Sequence, residues 1–130
     1  MRPIVDVAAD LGLDWQDLEP HGRDKAKIPL DAFPPNNSPG TLIVITAITP
    51  TPAGEGKSTT AIGLTQGLSK IGTRTVLTVR QPSVGPVFGH KGGGAGGGKA
   101  TVQPATDINL HLTGDFHAVQ SAHNLLAAMT

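Results

Sequence analysis

The sequence predicts an α/β fold in which helices cover a mostly parallel sheet. Three observations carry that expectation. Residues 41–48, TLIVITAI, form a short β-branched run without polar alternation, which suits a strand buried on both faces. A glycine-rich turn and a helical pattern follow directly, and a second apolar run, RTVLTV, occupies residues 74–79. Strand, loop, helix and strand in that order make the crossover unit of a parallel sheet.

Ahead of this unit, Ile4, Val7, Ala8 and Leu11 fall at helical spacing, with Pro3 suited to a first turn and Gly12 able to close the helix. Residues 14–27 are polar and read as partly helical, broken near Pro20 and Gly22. The stretch FPPNNSPG, residues 33–40, is a loop: its prolines remove donors, and Asn, Ser and Gly favour turns. The expected organisation is an N-terminal helical segment with a Pro-rich linker over 1–40 and a partial nucleotide-binding domain over 41–130. Within the second part, Ala61, Leu64, Leu68 and Ile71 mark a helix that Lys70 and Gly72 stop. Residues 81–105 form a long irregular connection. DINLHL, residues 107–112, alternates as a third strand would, and residues 116–129 return to a helical pattern. Three strands are few for a parallel sheet, which needs cover on both faces. The domain is therefore expected to be incomplete, a fragment of a larger one; a small domain completed by oligomerisation is the alternative.

Composition narrows the function classes. Among 130 residues, ten basic side chains balance ten acidic ones, so the basic footprint of a nucleic-acid binder is missing. With no cysteine, disulfides and thiolate metal sites are excluded. Asp6 and Asp10 interrupt the apolar pattern of the first residues, unlike a signal peptide, and no later stretch could span a bilayer. A cytoplasmic protein without membrane partners is expected.

The turn after the first predicted strand reads TPAGEGKS: Thr51, Pro52, Ala53, Gly54, Glu55, Gly56, Lys57 and Ser58. It matches the phosphate-binding pattern G-x-x-x-x-G-K-[ST] except at Thr51, where the first glycine belongs. In such a loop, backbone amides and the positive end of the following helix receive phosphate oxygens. Lys57 would reach the outer phosphates, and the Ser58 hydroxyl would join a magnesium shell. Gly54 and Gly56 give the backbone its freedom, Pro50 and Pro52 stiffen the approach, and Thr51 should make the loop differ locally from the common one. A buried-type strand before it and an amphipathic helix after it are the context the motif requires. The fold class expected is thus a P-loop NTPase-like parallel sheet with flanking helices, incomplete in this chain.

Ligands of open parallel sheets sit beyond the carboxyl ends of the strands. Arg80 ends the second predicted strand. If the two strands are close, Arg80 faces the same crevice as Lys57 and its guanidinium can grip a carboxylate or phosphate bidentately. An arginine pairing with an acid at the sheet rim fits the position equally well. Residues 92–98 contain six glycines, flanked by Lys91 and Lys99. Composition alone reads as a flexible linker. Position beyond a strand end favours a loop through which backbone approaches a ligand closely. His111, His117 and His123 recur every six residues, not at the three or four of a helical metal pair, so no zinc site is expected. His111 and His123 read as hydrogen-bonded structural histidines; His117, after the TGD turn, is a weaker candidate for a site role.

TPAGEGKSTT, RQPSVGPVFGHKGGGAGGG and DINLHLTGDFHAVQSAHNLLAA closely resemble formate–tetrahydrofolate ligases, and PIVDVAADLGLDWQDLEPHGRDKAKI resembles the opening of the same family. The resemblance runs from Pro3 to the end and covers about the amino-terminal quarter of that enzyme. The family carries threonine where Thr51 stands. The resemblance implies that ATP phosphorylates formate to formyl phosphate, which the N10 amine of tetrahydrofolate then attacks, giving 10-formyltetrahydrofolate, ADP and phosphate. It implies that Thr51 through Ser58 bind ATP, and that Lys57 and Arg80 hold and neutralise the transferring phosphoryl group. It further implies magnesium, a monovalent cation as activator, tetrahydrofolate as co-substrate, and a homotetramer.

The chain departs from the family pattern at several positions. Gln81 stands in place of the glutamate usual in REPS, Gly94 in place of an alanine, and Lys99 in place of an aromatic residue. His90 replaces an aliphatic residue and His21 a frequent tyrosine. The pterin-binding part of the family fold lies downstream of these residues, so the 130 residues alone are not expected to catalyse the ligation. Two other function classes compete: a partition- or switch-type P-loop ATPase, and a non-catalytic remnant that only binds ATP. The first would need a second, water-positioning strand motif, and the sequence shows none.

Overall fold

The computed structural model describes residues 1–33, 40–49, 51, 54–82, 84–89 and 92–130. It forms two compact units, residues 1–43 and 44–130.

In the first unit, α1 spans Ile4–Leu11 and ends on Gly12 at φ 79°. Gly12 N donates to Ala9 O and Leu13 N to Ala8 O, each at 3.0 Å, so the left-handed glycine lets the chain close the helix and turn Leu13 inward. Ala8, Leu13 and Leu18 are the buried cluster, with Leu11 and Ala26 packed on it. Asp14 Oδ1 accepts from Gln16 N at 2.9 Å and caps a single 3₁₀ turn, Trp15–Asp17. The helix expected over 14–27 goes no further. Pro20 lies in β1 (Glu19–Pro20), which pairs antiparallel with β2 (Ala26–Lys27), and Gly22 takes φ 72° in the turn between them. Of the expected loop 33–40, residues 34–39 lie outside the described residues.

Arg2 Nη1 donates to Asp10 Oδ2 at 2.7 Å, and both side chains are about 60% exposed. That hydrogen bond first, and the guanidinium charge second, hold the Asp10 carboxyl below its usual range. A lowered carboxylate contributes stability that is present above its unfolded pKa and lost as pH falls through the folded value, here in the acid range below 3.8. Exposure and salt screening keep the contribution small. Asp10→Asn is therefore expected to leave the thermal midpoint at pH 7 unchanged within error in differential scanning fluorimetry.

The second unit is built on α2, Lys57–Lys70, followed by Ile71 and by Gly72 at φ 86°. Thr73 N donates to Leu68 O at 3.0 Å and closes the C-terminus where the stop signals placed it. The face that α2 buries is not the predicted stripe. Ile62, 1% exposed, is its one fully buried side chain, whereas Leu64 and Ile71 remain 39% and 77% exposed. Against Ile62 lies a two-stranded antiparallel hairpin made by the glycine tract, β3 (Gly96–Gly97) and β4 (Ala100–Thr101). A Cβ built at Gly96, whose φ is 87°, would collide with the Ala100 carbonyl oxygen and crowd Ile62 Cδ1. A Cβ at Gly63 would lie 3.6 Å from Ala100 Cβ, and Gln66 Nε2 donates to Thr101 O at 3.0 Å. The tract is thus a packed element whose glycines permit close backbone approach.

Residues 41–48 and 74–79 belong to no ladder; among the described residues the only sheets are the two antiparallel pairs. The expected parallel sheet is absent from them. A central parallel strand exists only when neighbours hydrogen-bond both its edges, and β-branched composition cannot supply those neighbours. Leu42, Val44, Ile48 and Val76 accordingly stand 62–105% exposed. Thr75 Oγ1 donates to Thr65 O at 3.3 Å and ties the second segment to α2. The third expected strand, 107–112, is instead a helix, α3 (Ala105–Leu110). Pro104 fixes the turn before it, Asp107 sits in its first turn where the helix dipole favours an acid, and Ile108 is buried. Six alternating residues are too few to separate a period of two from one of 3.6. The last helix, α4, runs over Asp115–Met129, as its pattern predicts.

Candidate phosphate-binding site

Loop 51–58 enters α2 through two left-handed glycines. Gly54 N donates to Thr51 O at 3.0 Å, closing a tight turn, with Gly54 at φ 84°. Gly56, at φ 70°, is the residue before the helix, and its carbonyl takes the first helical bond from Thr60 N at 2.8 Å. Of the described glycines of the loop, both Gly54 and Gly56 take positive φ. Pro50, Pro52 and Ala53 lie outside the described residues.

Helix geometry leaves the first amides of α2 without carbonyl partners inside the helix. Lys57 is its first residue and is exposed, Ser58 is half-buried, and no acidic residue occupies the first turn. A cation there opposes the helix dipole. Folding gains nothing from Lys57 at this place, but an anion would meet amides, dipole and ammonium together.

The glycine tract reaches this loop. A Cβ at Gly54 would stand 3.5 Å from Gly92 N, so the two backbones are in contact. Arg80 follows segment 74–79 and is exposed. Neither Lys57 nor Arg80 forms an ion pair among the described residues. Among the described residues no hydrogen bond links the two predicted cationic site residues through a common partner. Lys91 and His90 lie outside the described residues.

Four contacts of Gln81, Pro82 and Gly94 escaped the sequence reading. The Gln81 amide lies beside the Leu112–Thr113 peptide; with its oxygen and nitrogen assigned to suit these neighbours, Nε2 donates to Thr113 O at 3.2 Å and Oε1 accepts from Leu112 N at 2.9 Å. Pro82 is buried against Gly94, where any Cβ would overlap the proline ring. Gly94 N donates to Asn109 Oδ1 at 2.8 Å. The only sequence signal for any of these is the glycine at 94, a close-approach residue. His111 and His117 bring their Nδ1 atoms to 2.6 Å, one donating and the other accepting, with ring centroids 4.8 Å apart. Ser121 Oγ lies 3.5 Å from His117 Nε2. Among the described residues, no three metal-ligating side chains converge.

An open cleft of about 830 Å³ lies between Thr65, Gln66, Lys70, Thr75, Lys99 and Ala100, at the far half of α2 from the loop. It is shallow and contains none of the motif residues. The loop, whose chemistry is specific, is the better candidate.

The family profile described as formate–tetrahydrofolate ligase matches residues 1–130. The chain belongs to the formate–tetrahydrofolate ligase family. One ligase of that name, from Cutibacterium acnes, is 60% identical over 131 aligned residues. The match takes in 99% of this chain and 23% of that relative, so the chain spans about a quarter of the length of the ligase it matches. Among the described residues no helix is long and apolar enough to cross a membrane.

Proposed function

We propose that this chain is the ATP-binding part of a formate–tetrahydrofolate ligase, which joins formate to tetrahydrofolate at the expense of ATP. The observation that carries the reading is the family match over the whole chain, with the TPAGEGKS loop inside it. A formate oxygen attacks the γ-phosphorus, its bond to the ADP oxygen breaks, and formyl phosphate results. The N10 amine of tetrahydrofolate then attacks the formyl carbon, phosphate leaves, the nitrogen loses its proton, and 10-formyltetrahydrofolate is formed.

Phosphoryl transfer depends on positioning and charge neutralisation more than on covalent help. Thr51, Pro52, Ala53, Gly54, Glu55, Gly56, Lys57 and Ser58 supply the cradle. The helix-start amides receive phosphate oxygens, Lys57 neutralises the outer phosphates, and Arg80 takes the formyl phosphate or transferring phosphoryl group bidentately. A hard hydroxyl oxygen directly after Lys57 fits magnesium, which takes phosphate oxygens and waters as its other ligands. Ser58 would hold it there, and the ion would supply neutralisation of phosphate charge. A monovalent cation as activator, a homotetramer of the complete enzyme and a cytoplasmic location belong to the same proposal. No observation favours a partition-type ATPase.

The test is a chimera in which these 130 residues replace the corresponding quarter of the Cutibacterium acnes ligase. It is expected to form 10-formyltetrahydrofolate only with ATP, formate and tetrahydrofolate together, while the isolated chain forms none. A folded chimera that hydrolyses ATP without regard to formate, or an isolated chain that makes product, would overturn the assignment.

A further inference from the structure

Two segments of the second unit each show one covered and one open side. Over residues 44–48 and 75–78 burial alternates with the two-residue period of a strand. Ile45, Ala47, Thr75 and Leu77 are half-buried. Their neighbours Val44, Thr46, Ile48, Val76 and Thr78 are exposed, Ile48 at 105%, Val44 at 71% and Val76 at 62%. On the half-buried side, Thr75 Oγ1 donates to Thr65 O of α2 at 3.3 Å, so α2 already backs this segment. Among the described residues neither segment enters a ladder, which leaves the peptide edges open as well. Strand edges that face water in a finished protein are guarded by lysine, proline or other charged residues. Residues 41–49 and 75–79 contain no proline and no charged residue.

We propose that the open sides of residues 44–48 and 75–78 are the surface on which the remainder of a ligase polypeptide docks, adding strands along their edges and apolar side chains over Val44, Ile48 and Val76. The inference rests on the reading of this chain as part of a formate–tetrahydrofolate ligase. Length names the occupant. This chain matches 23% of the Cutibacterium acnes ligase, so most of that polypeptide lies outside the matched region and is tethered to it. A tethered partner meets the surface at an effective concentration of about millimolar, above that of a free second copy. The chemistry agrees with that occupant. Open peptide N–H and C=O groups take neighbouring strands, and an uncharged β-branched side takes an apolar layer.

The experiment compares the isolated 130-residue chain with the chimera in which it replaces the corresponding quarter of the Cutibacterium acnes ligase, each as parent, Val44→Asp and Val44→Thr. Amide hydrogen exchange of residues 44–48 and 75–78 is the readout, with the amides of α2 as internal reference. In the parent chimera these amides are expected to exchange at least about a hundredfold more slowly than in the isolated chain. Val44→Asp should leave exchange and thermal midpoint of the isolated chain unchanged, because the side chain stands in water there. In the chimera the same substitution buries an unpaired carboxylate and should abolish the gained protection, or the fold with it. Val44→Thr keeps the shape, adds one hydroxyl and should lose part of the protection. Equally fast exchange in a folded chimera, a parent chimera that does not fold, or a Val44→Asp effect that is the same in both settings would overturn the inference. So would protection that the isolated chain gains with concentration, which assigns the surface to a second copy. A folded chimera with protected segments that makes no 10-formyltetrahydrofolate would sink the activity reading and leave the docking surface standing.

Discussion

Gly96→Ala is expected to cost the second unit about 2–6 kcal/mol, enough to leave it largely unfolded in moderate urea. Two terms add. A side chain at φ 87° carries left-handed strain of roughly 1–3 kcal/mol. The new methyl must also displace the Ala100 carbonyl across the hairpin and the Ile62 side chain, overpacking that costs about 1–3 kcal/mol. Neither neighbour can yield cheaply, because one is backbone of the paired strand and the other is 1% exposed. Gly98→Ala is the control. Gly98 also has positive φ, 58°, but nothing lies within 4 Å of its Cβ position, so only the strain of about 1–2 kcal/mol remains. Equilibrium urea unfolding followed by far-UV circular dichroism checks both. Equal losses for the two variants would mean that the hairpin does not pack on α2 as described.

Lys57→Ala is expected to weaken Mg·ATP binding about 10- to 150-fold, the worth of one charge-assisted hydrogen bond to phosphate. Fold stability should not fall with it. Lys57 is exposed at the positive end of α2, so its removal relieves an unfavourable interaction and should stabilise the helix by a few tenths of a kcal/mol. This opposition between binding and stability separates a functional lysine from a surface one. Lys70→Ala, in the last turn of the same helix, removes a cation from its favourable end, and should leave ATP affinity unchanged. Calorimetric titration and thermal melts of the three proteins make the comparison.

Helix ends were legible because their causes are local. Gly12 and Gly72 terminate α1 and α2 where a left-handed residue is needed, and the 3.6-residue pattern of 116–129 marks α4. Strands were not, because the ladder that makes 41–48 or 74–79 a strand has to come from elsewhere in the chain. Six residues around Ile108 satisfied two periodicities, and Pro104 with Asp107 decided for a helix. Glycine composition hides packing: residues 92–98 look like a linker, yet Gly94 and Gly96 are small because Pro82 and Ala100 occupy the space. The turn into α2 at Gly54 and Gly56 was readable from its own residues. The contact at Gln81 was not, since its partners Leu112 and Thr113 are distant in the chain and carry no motif.

A double-mutant cycle on Mg·ATP affinity, combining Lys57→Ala with Arg80→Ala, tests most directly whether the two cations serve one phosphoryl group. Groups acting on a common partner couple, by about 0.5–3 kcal/mol in such cycles. The expected result is coupling in that range, with the double variant departing from the sum of the single losses. Additivity within about 0.3–0.5 kcal/mol, the behaviour of distant independent sites, would contradict it.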